Sequence, residues 1–365
     1  MRLLLFSDLH LDTPFEWAPP PVARRRRQTL RDTLVRIVQL AAQLRVDALL
    51  CGGDLYEHDR FSPDSAAFLR TTLAELDPLP VYISPGNHDW YGPDSLYCRT
   101  PWSPNVHVFT SDRLEPVTLA AGLTLWGAAH RAPANTDGFL NGFAVDRSGV
   151  HLALFHGSER NGLTEQGAGK APHAPFDAEQ VERAGLHHAF LGHYHRPRDA
   201  HHHTYPGNPD PLTFGEDGER GAVLATVSAD GTVTRHRHVI AISRMHDLEL
   251  DITPCRSMQD VRAQVATALH GLTGSARLTF AGELQPELDL HLDSLPEAAP
   301  WMEAIVTRMG PVHAGYDLNA IAAEATVRGQ FVRDVNAATL DEDFRRRVLI
   351  TGLRALDGRD DLEVP

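Results

Sequence analysis

The sequence predicts an α/β protein whose chemistry sits at the rim of open sheets, on three observations. Short apolar runs recur at Leu3–Phe6, Ala48–Cys51, Val81–Ile83, His151–Phe155 and Ala189–Leu191. Uninterrupted runs of this length between turn residues read as strands buried on both faces. Helical periodicity alternates with them along the first half of the chain. Each run also leads straight into polar residues: Ser7-Asp8-Leu9-His10, Gly52-Gly53-Asp54, Gly86-Asn87-His88-Asp89, His156-Gly157 and Gly192-His193-Tyr194-His195. Ligands of open α/β sheets bind beyond the carboxyl ends of the strands, so these five segments define one candidate crevice.

Residues 23–45 place Leu30, Leu34, Ile37, Ala41 and Leu44 on one helical face. That helix opens on Arg24-Arg25-Arg26-Arg27, against the sense of the helix dipole. The four arginines read as a solvated first turn, with a phosphate-contacting patch as the other reading. Pro63–Leu76 is a second helix, with Ser62 as its cap and Pro63 at the first position. Residues 94–148 mix short strands with Pro- and Gly-rich loops. Gly157–Phe176, directly after His156, is expected to wall the crevice and carries Lys170, the only lysine; disorder is the other reading. Asp177–Ala184 is helical.

Beyond Leu191 the pattern turns to strands at Thr204–Tyr205, Ala222–Val227 and Thr232–Val239, with Ala229-Asp230-Gly231 as a hairpin turn. They are expected to form a sheet packed beside the core. His201-His202-His203 reads as exposed loop rather than a metal site. A boundary falls near Ile240–Met245, followed by a strand at His246–Ile252, a helix capped by Ser257, and a strand at Ala276–Phe280. Residues 283–300 are an acidic linker or loop. Trp301–Met309 and Leu340–Leu356 read as helices. The apolar stripe of the second (Phe344, Val348, Leu349, Leu353, Leu356) packs on its own domain or docks on a partner's coiled coil.

Aspartate, histidine and asparagine at these places suit two-metal phosphoester hydrolysis. Two divalent ions about 3.5–4 Å apart activate a water and stabilise both attacking and leaving oxygens. Asp54 is expected to bridge them, because one carboxylate neutralises two cations and Gly52-Gly53 let the backbone come close. Asp8 and His10, two apart in an extended segment, should project the same way, as should His193 and His195. The expected division is Asp8, His10 and His195 around one ion and Asn87, His156 and His193 around the other. Imidazole, carboxylate and amide oxygen without thiolate suit manganese, iron or zinc. His88 is expected to face the substrate, where it protonates or stabilises the leaving oxygen.

Asp-x-His, Gly-Gly-Asp, Gly-Asn-His-Asp, His-Gly and Gly-His-x-His in this order resemble the calcineurin-like metallophosphoesterase superfamily. Within it, Ser7–Phe15, Gly53-Asp54-Leu55-Tyr56 and Tyr205–Pro211, followed by Glu219-Arg220-Gly221, resemble the SbcD branch of DNA repair nucleases. That branch is the bacterial counterpart of the eukaryotic double-strand-break repair nuclease. The resemblance is strong over residues 1–240, moderate to 285 and weak beyond. It implies a four-layer α-β-β-α metallophosphoesterase sandwich with a smaller α+β C-terminal capping domain. Residues 1–243 would be the nuclease domain, 244–337 the DNA-capping-like domain, and 338–365 a C-terminal helix and tail. It puts two manganese ions on the seven residues named above and the catalytic histidine on His88. The implied activity is a 3′-to-5′ exonuclease and single-strand endonuclease in DNA repair, working with an SbcC-like SMC-family ATPase and as a homodimer. The C-terminal region is shorter than in long SbcD chains, which bears on the partner-binding element rather than on the chemistry.

Charge points the other way. The net charge of −14 has the wrong sign for gripping DNA phosphates. Residues 246–365 hold 11 arginines against 20 acidic residues, so the first two thirds are closer to neutral. A stand-alone phosphatase or cyclic-nucleotide phosphodiesterase on small substrates is therefore the alternative. A non-catalytic scaffold would not need all seven donors. Cys51, Cys98 and Cys255 are scattered without metal-type spacing, which fits a reducing compartment. No apolar stretch approaches the about 20 residues of a membrane helix, so a cytoplasmic protein without membrane contact is expected.

Overall fold

The computed structural model describes residues 1–146, 148–165, 172–285 and 288–358. Lys170 and the centre of the Gly157–Phe176 loop lie outside them. Contacts divide the chain into two units, Met1–Glu16 with Pro20–Ser243, and Trp17–Pro19 with Arg244–Pro365.

The first unit holds two six-stranded sheets. In sheet one, β1 (Arg2–Phe6), β2 (Ala48–Cys51), β3 (Val81–Ile83) and β4 (Val106–Val108) run parallel. On its other side β1 pairs antiparallel with β11 (Gly221–Val227), and β11 with β12 (Val233–Val239). In sheet two, β6 (Leu123–Gly127), β7 (Val150–His156), β8 (His188–Gly192) and β10 (His203–Tyr205) run parallel. The antiparallel β5 (Glu115–Ala120) and β9 (Arg198–Asp199) edge it. The strands expected beyond Leu191 thus do not form a sheet of their own. They are shared between the two core sheets, because β1 and β8 each leave an edge that only later residues can pair.

Alternation explains the layering. Leu3, Leu5, Leu50, Leu125, Leu152, Leu154 and Val223 make one core between the sheets. Leu4 and Leu49 are equally buried on the opposite face of sheet one. There the β1–β2 crossover runs through α1 (Pro20–Leu44), whose Leu30, Leu34, Ile37 and Ala41 are fully buried. Helices α2 (Pro63–Ala74, with Ser62 accepting from Ser65 N) and α3 (Leu96–Arg99) follow. The outer face of sheet two buries Phe155, Ala189 and Leu191 with Val181 of α4 (Ala178–Arg183). The result is an α/β sandwich with helices outside two stacked sheets.

Two local expectations need correction here. Helix α1 starts at Pro20, so Arg24–Arg27 are not its first turn. Arg26 is 1% exposed and pairs with Asp210 at 3.2 Å, beside the Phe15 ring. Helical geometry turns that position inward, four residues before Leu30, while Arg24 and Arg25 face out. His203 of the histidine triplet is likewise no loop residue; it is buried in β10.

The second unit has a parallel sheet of β13 (Met245–Asp251), β14 (Ser275–Leu284) and β15 (Ala304–Ala314). Helix α5 (Met258–Leu269) packs Val261, Val265 and Leu269 on it. Residues 301–309 are therefore not a helix. Ile305, Val306 and Thr307 are β-branched and pair with Ala276, Arg277 and Leu278, which outweighs a weak helical spacing. Helices α6 (Leu318–Ala323), α7 (Val327–Ala337) and α8 (Glu342–Leu356) close the unit. Leu349 and Leu353 of α8 share a cluster with Ile321, Val332 and Val335. The buried stripe of α8 includes Ile350, whereas Phe344 and Leu356 are 46% and 45% exposed.

Candidate metal centre

Five parallel strands, three from sheet one and two from sheet two, deliver their carboxyl ends to one edge of the sandwich. Asp8 and His10 follow β1, Asp54 follows β2, Asn87 and His88 follow β3, His156 ends β7, and His193 and His195 follow β8. The segment after β1 is not extended as expected. Asp8 and His10 have φ of 56° and 50°, in the left-handed region. Their N–H groups donate to Gly53 O and Asp54 O at 2.9 Å, and Leu11 N to Leu55 O at 3.0 Å. Leu9 and Leu11, on either side of His10, are buried. This backbone costs about 1–3 kcal/mol per residue and persists only because the contacts on both sides over-determine it.

The glycines answer to crowding. Gly53 has φ +97°, and a Cβ there would lie 2.6 Å from Ser84 O and 2.8 Å from His156 Nδ1. A Cβ on Gly192 would meet Gly52 O at 2.1 Å. The strand ends touch backbone to backbone, which draws their side chains together.

The donor atoms converge. His10 Nε2 lies 3.2 Å from His195 Nε2 and 3.7 Å from Asp54 Oδ2. His156 Nε2 lies 3.2 Å from Asp54 Oδ2, 3.1 Å from Asn87 Oδ1 and 3.2 Å from His193 Nδ1. Asp8 groups with His10 and His195, and again with Asp54 and His156. Asp8 also accepts from His193 N at 3.0 Å and from the Ser7 hydroxyl. His88 is close by, its ring 4.8 Å from that of His10. All eight residues predicted for the site are therefore in one place, on or beneath a cleft of about 700 Å³.

The environment suits cations. Asp8 and Asp54 are buried, and among the described residues no arginine forms an ion pair with either. Burial opposes the Asp54 charge, yet His156, His88 and His10 hold its carboxyl well below the usual range. Burial likewise opposes the His156 cation, which Asp54 raises to about 9. More telling is the pair His10 and His195. Each has its Nδ1 on a carboxylate, Glu57 and Glu216, both at 2.7 Å. With Nδ1 of each ring on a carboxylate, both Nε2 atoms are turned to one point, where a cation would take them together as donors. Around an ion with bonds of about 2.0–2.1 Å, neighbouring donors stand roughly 2.9–3.4 Å apart, close to the spacings seen.

Sequence reasoning missed the supports. Glu57, three residues after Asp54, spans His10 Nδ1 at 2.7 Å and His88 Nδ1 at 3.0 Å. Burial disfavours its charge, but those two hydrogen bonds bring its carboxyl down to about 2. Asp89, fully buried, accepts from the N–H groups of Asp54, Leu55 and Gly86 and from Tyr97 Oη. His173, from the loop after His156, and exposed Arg196 border the cleft. Asp89 closes the Gly86–Asp89 motif and Glu57 follows the Gly53–Tyr56 motif, but no spacing marks the supporting role of either.

The sequence profile of the calcineurin-like phosphoesterases matches residues 1–197, which include all seven donors and His88. The uncharacterized metallophosphoesterase YhaO of Bacillus subtilis strain 168 is 27% identical over 270 residues, 69% of this chain and 63% of that protein. The DNA double-strand break repair protein Mre11 of Methanopyrus kandleri is 26% identical over 253 residues, 61% of this chain and 52% of that protein. The chain thus spans less than two thirds of either curated relative. Among solved structures, TT1561 of Thermus thermophilus gives a TM-score of 0.38 at 15% identity, over 65% of this chain and 98% of that one. A dimetal phosphatase from Danio rerio gives 0.37 at 14%, over 61% and 91%. With its profile matched over more than half its length, the chain belongs to the calcineurin-like phosphoesterases, metal-dependent hydrolases of phosphoesters with a dimetal centre.

Proposed function

We propose that this chain is an SbcD-type DNA nuclease. It hydrolyses phosphodiester bonds as a manganese-dependent 3′-to-5′ exonuclease and single-strand endonuclease, in the cytoplasm, with an SbcC-like ATPase as partner and as a homodimer. The observation that carries the hydrolytic part is the convergence of seven donors with an exposed histidine beside them. The partial likeness to an Mre11 protein supports DNA as substrate. The strand–helix–strand unit of residues 245–284 is assigned the DNA-capping role on the same ground.

In this reading Asp8, His10 and His195 hold one ion, Asn87, His156 and His193 the other, and Asp54 lies between. The ions, when bound, supply an activated water and charge for the phosphate oxygens. Glu57 accepts from His88 Nδ1, which leaves Nε2 as the nitrogen turned to substrate. Burial weakens the His88 cation, but Glu57 and Asp54 raise it to about 9, so it meets the leaving oxygen as an acid. Bound cations would act in the opposite sense. Arg196, exposed beside His195, would meet a backbone phosphate in this reading.

Substrate and roles are tested together. The manganese-loaded protein is offered single-stranded DNA, a cyclic dinucleotide and an aryl phosphate. DNA should be degraded fastest; rapid aryl phosphate turnover with intact DNA overturns the nuclease reading. Asp54→Ala and His195→Ala should lose metal and activity together. His88→Ala should keep both ions and lose about 10²–10⁴ in turnover; full activity in that variant defeats its role. One observation favours the small-substrate phosphatase or phosphodiesterase reading, the net charge of −14.

A further inference from the structure

We propose that Glu216 is a positioning residue that makes the pocket of Asp8, His10 and His195 the tighter of two unequal ion sites. The inference rests on the two-metal reading above and goes beyond it. Glu216 is mostly buried, and its two oxygens do different work. One takes the Nδ1 proton of His195 at 2.7 Å. The other accepts from Asn208 Nδ2 at 2.6 Å, Leu212 N at 2.7 Å and Thr213 N at 3.3 Å. A whole loop is wound around one carboxylate.

The same loop grips the His195 backbone. Arg220 donates to His195 O at 2.7 Å, to Glu216 O at 2.8 Å and to Asn208 Oδ1, while Asn208 N donates to His195 O at 3.2 Å. Ring and main chain of this one donor are thus both fixed by residues 208–220. This accounts for Asn208 and Arg220 in the Tyr205–Pro211 and Glu219–Gly221 motifs, which the hydrolytic reading left unused.

The two pockets differ in what stands behind their imidazoles. His10 and His195 both lean on carboxylates, Glu57 and Glu216. His156, on the other side, leans on a neutral carbonyl, Gly52 O at 2.9 Å. A carboxylate behind a ligand imidazole fixes its tautomer and strengthens it as a donor, and its loss typically lowers metal affinity 10–100-fold. Both imidazoles of the first pocket have that support and His156 of the second does not, while Asp8 gives the first pocket a charged donor where the second has the neutral amide of Asn87, so the first ion binds there.

The test is a manganese titration of the full chain and of Glu216→Gln by calorimetry, which reads affinity without substrate. The parent should show two unequal sites. Glu216→Gln should weaken the tighter one 10–100-fold and leave the weaker within twofold, so that the two converge. Equal weakening of both sites, or no change in either, overturns the inference and leaves the two-metal reading standing. No manganese bound by the parent overturns both. A second measurement needs no variant: one equivalent of diamagnetic zinc should shift the imidazole resonances of His10 and His195 before those of His156 and His193. The reverse order, or simultaneous shifts, sinks the proposal.

Discussion

Asp89 touches neither proposed ion nor substrate, and its loss should nevertheless dismantle the site. Its carboxylate takes the N–H of Asp54 at 3.1 Å, Gly86 at 2.6 Å and Leu55 at 2.6 Å, and the Tyr97 hydroxyl at 2.5 Å. It therefore ties the loop carrying Asp54 to the loop carrying Asn87 and His88. Asp89→Ala strands three buried backbone donors at about 1–3 kcal/mol each, so a loss near 4 kcal/mol is a conservative figure even if water enters the space. For a unit of this size that lowers Tm by about 8–16 °C. Asp89→Asn should be far milder. Burial, with Asp54 nearby, pushes the Asp89 carboxyl up to about 6, so the charge is disfavoured at this place, and an amide of the same shape keeps one of the two acceptor oxygens. A loss of about 1–2 kcal/mol, or roughly 2–8 °C, is expected there. Calorimetric melts of the three proteins without added metal decide the matter. If Asp89→Ala melts within about 2 °C of the parent, the carboxylate is not the tie described.

Other outcomes follow from the same geometry. Glu57→Gln can offer only one oxygen to two imidazoles, so the other must turn its proton to Nε2; a loss of about 1.5–3 kcal/mol, roughly 10–150-fold in kcat/KM, is expected. Unchanged kcat/KM on a chromogenic phosphodiester would remove Glu57 from the mechanism. Asp210→Ala takes a carboxylate away from the buried Arg26 cation and should destabilise by about 3–5 kcal/mol in urea titrations, against near-neutral effects at exposed Arg24. Acid should destabilise through two histidines away from the ions. Burial, with Arg235 beside it, takes His188 down to about 3, and burial with Arg198 and Arg235 takes His203 to about 4. Both stay neutral in the fold but take a proton near pH 6.5 when unfolded. Their stabilisation is present above pH about 6.5 and falls toward pH 4, by up to about 1.4 kcal/mol per unit for each. His188→Asn should flatten the urea midpoint between pH 7 and 5, and an unaltered slope contradicts the assignment.

Much of the first unit was legible because its strands announce themselves. A fully buried parallel strand such as Leu3–Phe6 or Ala48–Cys51 needs apolar side chains on both faces, and the next few residues must be polar if a crevice lies there. The backbone at Asp8 and His10 was not legible. An Asp-x-His triplet looks extended in isolation, and only the Gly53–Leu55 carbonyls alongside force the left-handed turns. Arg26 stands four residues before Leu30, on the face the periodicity marks, but an arginine there reads as solvated until Asp210, far along the chain, supplies the opposite charge. Glu57 and Glu216 carry no pattern, because a carboxylate supporting an imidazole needs only proximity, and Glu216 is 21 residues from His195. Residues 301–309 misled because a short stretch with apolar residues at 301, 305 and 309 fits a helix until β14 offers it a ladder.

The placement of β1 sets the order in which this protein can be completed. Its one edge is paired by β2 soon after synthesis begins, but the other waits for β11, about 170 residues later. At ribosomal rates of 5–20 residues per second that is roughly 10–35 s with a leucine-rich strand half covered. His193 and His195 emerge near the end of the same interval. A cation pair held by residues 8 to 195 would therefore act as a latch, closing only on a polypeptide that has been made past its eighth strand.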